Sequence, residues 1–149
     1  MSAVLVPRAE LPAQRRKPVW AVHFGPSPNH LPGRLAREML RGGLRGFDPD
    51  TVHTAELLAS ELLTNALTHA GGRFAAFHAA RYGPLLLVTV TDRAPGFPDR
   101  VSTDENLCAE SGRGLPLVDA LADSWGVHLP EGGVKAVWFL LRLDDPGRG

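Results

Sequence analysis

Ser60-Glu61-Leu62-Leu63-Thr64-Asn65-Ala66-Leu67-Thr68-His69-Ala70 is the stretch on which the fold turns. At about 100° per residue, Leu58, Leu62, Ala66, Ala70, Leu63 and Leu67 fall on one half of a helical wheel, while Glu61, Asn65 and His69 form a stripe along its edge. The helix is signalled by Asp48-Pro49, an N-cap with proline at the first helical position; it runs from about Asp50 to Ala70 and stops at Gly71-Gly72. A carboxylate and an amide one turn apart, where core meets solvent, can share work. The amide oxygen can ligate a hard cation, and the carboxylate can orient or deprotonate a nucleophile. A Glu and an Asn that merely border a core face produce the same spacing, so the stripe alone does not assign a function.

On the N-terminal side, Val19-Trp20-Ala21-Val22-His23-Phe24 is rich in β-formers and stops at Gly25-Pro26-Ser27-Pro28, which predicts a first strand. Leu31, Leu35, Met39, Leu40 and Leu44 then recur at helical spacing with Arg34, Arg37, Arg41 and Arg45 between them, predicting an amphipathic helix to about Gly46. On the C-terminal side, Arg73 to Arg81 and Leu85 to Thr91 read as strands joined by Tyr82-Gly83-Pro84. The polar stretch from Arg93 to Gly112 has no period and reads as a functional lid or mobile segment. Leu115, Leu117, Val118, Leu121 and Ala122 give a further helix, opened by Gly112-Arg113-Gly114. Trp125 to Leu129 and Val134 to Leu143 then form a hairpin about Pro130-Glu131-Gly132-Gly133. The order β-α-α-β-β-loop-α-β-β predicts an α/β two-layer sandwich, a mixed and largely antiparallel sheet with three helices on one face.

The 149 residues are enough for one domain with its own core. Sixteen basic residues balance sixteen acidic ones, which argues against direct nucleic-acid binding by bulk charge, so any anion must be held by local geometry. Cys108 is the only cysteine; it excludes an internal disulfide and any cysteine-based metal cluster, and favours a reducing, cytoplasmic setting. No eighteen-residue apolar run predicts a membrane span. Residues 1–17, Pro-punctuated and ending in Arg15-Arg16-Lys17, read as a flexible tail, 18–144 as the domain and 145–149 as a second tail.

Two further stretches carry chemical possibilities. Thr91-Asp92-Arg93-Ala94-Pro95-Gly96 places an aspartate at a strand end, where a purine amino group could donate to it; an ordinary Asp-led turn has the same sequence. Glu110-Ser111-Gly112-Arg113-Gly114-Leu115 opens a helix with glycines, so exposed N–H groups could hold phosphate oxygens and Arg113 could add charge. It lacks the third glycine of a dinucleotide fingerprint and the Gly-Lys-Ser/Thr of a Walker A loop. Trp20, Trp125 and Trp138 read as core or sheet-face residues. Lys135, beside Gly132-Gly133, reads as a solvated turn lysine, with reach toward a phosphate as the alternative.

Taken in order, Glu61-x-x-x-Asn65 on a helix, Asp92-x-x-x-Gly96 after a strand, and Gly112-Arg113-Gly114-Leu115 at a helix start resemble the Bergerat (GHKL) ATP-binding fold of gyrase and the histidine kinases. The resemblance covers roughly Trp20 to Leu143. Ser60 to Ala70, Ser111 to Leu115 and Leu121-Ala122-Asp123-Ser124-Trp125-Gly126-Val127 look most like the bacterial anti-sigma factor serine/threonine kinases, particularly their actinobacterial relatives. The resemblance implies ATP and Mg²⁺ as ligands. It implies Glu61 as the base that activates a substrate serine, Asn65 as the Mg²⁺ ligand and Asp92 as the adenine-reading acceptor. Gly96, Gly112, Arg113, Gly114 and Leu115 would complete the nucleotide site. The implied partners are an anti-sigma factor antagonist and a sigma factor, and a homodimer is compatible with the resemblance.

Two departures from the family pattern stand out. Ala94 replaces the first glycine of an Asp-x-Gly-x-Gly box, and Glu110 stands where the better-studied relatives carry an arginine. Both bear on the rate of phosphoryl transfer, which depends on positioned charge, more than on the fold. A histidine autokinase is disfavoured because no His-bearing dimerisation helix is present in the sequence.

Overall fold

Asp48 fixes the start of the longest helix. In the computed structural model its Oδ2 accepts from the backbone N–H groups of Asp50 and Thr51 at 3.1 and 3.3 Å, supplying partners to the first turn of α2 (Pro49–His69). The structure describes residues 17–69, 74–93, 115–128 and 134–145. Within them, β1 (Trp20–Phe24), α1 (Pro32–Gly43), α2, β2 (Phe74–Tyr82), β3 (Leu85–Arg93), α3 (Pro116–Leu121), β4 (Ser124–His128) and β5 (Val134–Arg142) follow in the expected order. Residues 1–16, 70–73, 94–114, 129–133 and 146–149 lie outside the described residues.

The five strands form one sheet in the order β1-β2-β3-β5-β4. Every pairing among the described strands is antiparallel, so the sheet expected to be mixed and largely antiparallel has no parallel pair. The reason is topological. Two successive helices between β1 and β2 return the chain to the end it left, which makes that neighbouring pair antiparallel. β3 and β4 do run the same way, as a single-helix connection requires, but β5 lies between them and pairs antiparallel with both. The β2–β3 connection is a two-residue turn in which Gly83 takes φ +62° and Pro84 holds φ negative, the II′ pattern that suits strand twist.

Strand alternation sorts the sheet into two faces. Phe77, Ala79, Leu86, Val88, Val90, Val137, Phe139 and Leu141 join Leu40, Leu58, Leu62, Leu63 and Val118 of the helices in one core. Leu87, Trp138 and Leu140 form a second cluster. The three helices therefore sit on one face, as expected. The buried line of α1 is Ala36 and Leu40, continued by the C-cap Leu44 in a four-residue step; Leu35 and Met39 flank it half-buried, and Leu31 is exposed. Leu31 is the extended N-cap, so helical periodicity does not govern where it points. On α2, Leu67 is exposed rather than core, because it lies about 120° round the helix from Ala55 at the centre of the buried arc. Ala70 lies outside the described residues.

Arg41 and Glu56 clamp α1 to α2 with paired hydrogen bonds of 3.0 and 3.2 Å. At the start of α2, Thr51 Oγ1 donates to Asp144 Oδ2 at 3.3 Å, and the Asp48 N–H donates to the Asp144 carbonyl at 2.9 Å. These contacts tie the start of α2 to the chain after β5. The helix that carries Glu61 and Asn65 is thus anchored at both its neighbouring helix and the sheet.

Candidate functional site

Asn65 lies in the buried arc of α2 and is 3% exposed; Glu61, one turn earlier and about 40° further round the helix, is half-buried. The sequence placed both on the border between core and solvent. That holds for Glu61, whereas Asn65 lies inside the buried arc with Leu58, Leu62 and Ala66. The His69 side chain is not among the described groups.

Asp92 stands at the penultimate position of β3, on the helix-facing side that also carries Leu86, Val88 and Val90, and is 1% exposed. A register shift between Phe74 and Ala76 of β2 falls opposite it, a bulge of the kind that re-aims side chains at a sheet end. Burial pushes the Asp92 carboxyl up to about 6, and nearby Lys135 pulls it back toward the usual carboxylate range. Lys135 is its direct cross-strand partner on β5, with Nζ 4.0 Å from Asp92 Oδ2.

Lys135 corrects the expectation of a solvated turn lysine: it lies in a strand and is 7% exposed. Sequence reasoning missed it because the β3–β5 pairing joins segments more than forty residues apart. The signal was available in principle, since the end of β3 must meet the beginning of β5 once those strands are antiparallel neighbours. Glu56, buried beneath Arg41, was also missed, and its role is to join the helices.

The amide of Asn65 and the carboxylate of Asp92 share an unusual property. All four polar atoms, Asn65 Oδ1 and Nδ2 and Asp92 Oδ1 and Oδ2, are buried without a hydrogen-bond partner among the described residues. Native proteins pair nearly all such atoms, because an orphaned group forfeits its hydration at a cost of about 1–3 kcal/mol. Two orphaned side chains on neighbouring elements, α2 and β3, suit a polar ligand that completes them. The family described as the histidine kinase-like ATPase domain matches residues 26–140. The chain belongs to this family. No curated protein matches it.

The histidine kinase-like ATPase domain gives the orphaned atoms a chemical context. An amide oxygen is a suitable ligand for a hard cation such as Mg²⁺, and a buried carboxylate is a suitable acceptor for a purine amino group. The residues present therefore fit the nucleotide and metal that an ATPase domain implies. Leu115 is fully buried in the core, and its carbonyl accepts from the Asp119 N–H in the first turn of α3. Gly96, Gly112, Arg113 and Gly114, with Ala94, Glu110 and Cys108, lie outside the described residues. Among the described residues no helix is long and apolar enough to cross a membrane.

Proposed function

We propose that this member of the histidine kinase-like ATPase domain family binds Mg²⁺·ATP and acts as an anti-sigma factor-like serine/threonine kinase. Its substrate is a serine on a small antagonist protein, and its output is control of a sigma factor. The observation that carries the nucleotide reading is the pair of buried, unpartnered side chains, Asn65 and Asp92, within a matched ATPase domain. In this reading Asp92 accepts from the adenine amino group. Asn65 Oδ1 would serve as a protein ligand to Mg²⁺. Bound Mg²⁺·ATP supplies the phosphoryl group and neutralises its charge.

Glu61 is then the residue that receives the proton of the substrate hydroxyl. Its half-buried position, one turn from Asn65 and nearer solvent, suits a base that must meet a protein substrate arriving from outside. The motif order Glu61, Asn65, Asp92 and Gly112-Arg113-Gly114-Leu115 supports the kinase assignment by resemblance. A second reading, an ATP-binding module that regulates by sequestering its partner without efficient transfer, is favoured by Ala94 and Glu110.

Phosphate transfer to candidate antagonists separates the two. The kinase reading expects transfer by the wild type, with Glu61→Ala losing transfer while retaining ATP. ATP binding without transfer to any antagonist selects the regulatory module.

A further inference from the structure

We propose that Lys135 is a second base-reading group, donating from Nζ to the acceptor nitrogen next to the purine amino group that Asp92 reads. The proposal rests on the nucleotide reading above. Lysine is almost never fully buried unless it is paired, and Lys135 is 7% exposed near the start of β5, an interior strand of the sheet. Strand alternation puts it on the helix-facing side with Val137 and Phe139, the side that carries Asp92.

The Lys135–Asp92 contact is electrostatically matched but incomplete. At 4.0 Å it is longer than the 2.7–3.2 Å of a direct N–H···O hydrogen bond. Among the described residues neither Asp92 oxygen has a hydrogen-bond partner. An ammonium has three donors and a carboxylate has only acceptors, so one ligand edge can satisfy both if it offers an acceptor and a donor side by side. Adenine has such an edge: its amino group donates, and the adjacent ring nitrogen accepts. A phosphate offers acceptors alone and would bring its negative charge to Asp92, which argues against the phosphate-reaching role considered for Lys135. Guanine also carries an acceptor beside donors; adenine is the base that the ATPase family implies.

The test compares ATP with 1-deaza-ATP, in which that ring nitrogen is a C–H, on the full-length chain by calorimetry with Mg²⁺. The wild type is expected to bind 1-deaza-ATP about tenfold more weakly or worse, the loss of one charge-assisted hydrogen bond. Lys135→Met, which keeps the length of the stem, is expected to bind both nucleotides with equal, reduced affinity. If Lys135→Met keeps the wild-type preference, Lys135 serves only as the counter-charge of Asp92 and the proposal is overturned. Equal binding of both nucleotides by the wild type overturns it without needing any variant. Failure of the wild type to bind ATP at all overturns the nucleotide reading itself, and is distinguishable from either result.

Discussion

Lys135 Nζ stands 4.0 Å from Asp92 Oδ2 across the β3–β5 ladder, with both side chains buried. Burial disfavours the charged carboxylate and lifts Asp92 to about 6, while the ammonium limits that rise. At neutral pH Asp92 is accordingly an anion facing a cation, the form that accepts hydrogen bonds from a ligand.

This arrangement fixes a pH dependence. Between about pH 4 and 6 the folded chain keeps the Asp92 proton while the unfolded chain releases it, so stability falls as pH rises through this window. A displacement from 3.8 to about 6 corresponds to ~3 kcal/mol. Asp92→Asn removes this contribution. Urea unfolding at pH 4, 5, 6 and 7 is expected to show the stability difference between variant and wild type shifting in favour of Asp92→Asn by an amount of that order as pH rises; a constant difference would refute the assignment.

Asn65 separates function from stability. Its two polar atoms are buried without a hydrogen-bond partner among the described residues, so Asn65→Leu is expected to hold or raise stability by up to about 1–3 kcal/mol while abolishing the effect of Mg²⁺ on ATP binding. Loss of stability in Asn65→Leu, read by thermal unfolding, would mark Asn65 as a structural residue.

Adjacent glycines of α1 predict opposite outcomes. A Cβ at Gly42 meets nothing within 4 Å, whereas one at Gly43 would fall 2.0 Å from the Trp20 ring. Gly42→Ala is expected to stabilise by about 0.5–1 kcal/mol through helix propensity. Gly43→Ala is expected to destabilise by about 1–3 kcal/mol by overpacking. Gly126→Ala, with Trp138 2.8 Å from the new Cβ, follows Gly43→Ala. Equal midpoints in denaturant for Gly42→Ala and Gly43→Ala would contradict this packing.

Arg41 and Glu56 form the paired contact between α1 and α2. Arg41→Ala and Glu56→Gln are each expected to lower the melting temperature, with the double variant losing less than the two losses combined. Because Arg41 is exposed, added salt is expected to shrink the Arg41→Ala effect. Strict additivity would show that the contact contributes nothing.

The order of elements was legible because the hydrophobic period changes wherever Gly, Pro or Asp punctuates the chain, most clearly at Asp48-Pro49 and Tyr82-Gly83-Pro84. Side-chain placement was less legible. The wheel put Leu67 in the core, but the burial arc belongs to what α2 packs against, and that is set by the sheet. The wheel likewise put Asn65 at the edge, and only the packed structure shows that its amide is buried without a partner. Asp92 was legible from its place after an apolar strand. Lys135 was not, because its meaning depends on a cross-strand partner distant in sequence, and a lysine beside two glycines reads locally as a solvated turn.

The central claim is that Asn65 and Asp92 are buried without partners because a nucleotide and its metal complete them. Calorimetric titration of the full-length chain with ATP, with and without Mg²⁺, tests it directly when Asp92→Asn and Asn65→Ala are measured alongside. Saturable, Mg²⁺-dependent binding by the wild type is expected, with a loss of about tenfold or more for Asp92→Asn and no Mg²⁺ dependence for Asn65→Ala. No binding by the wild type at millimolar ATP, or binding that neither substitution alters, would contradict it.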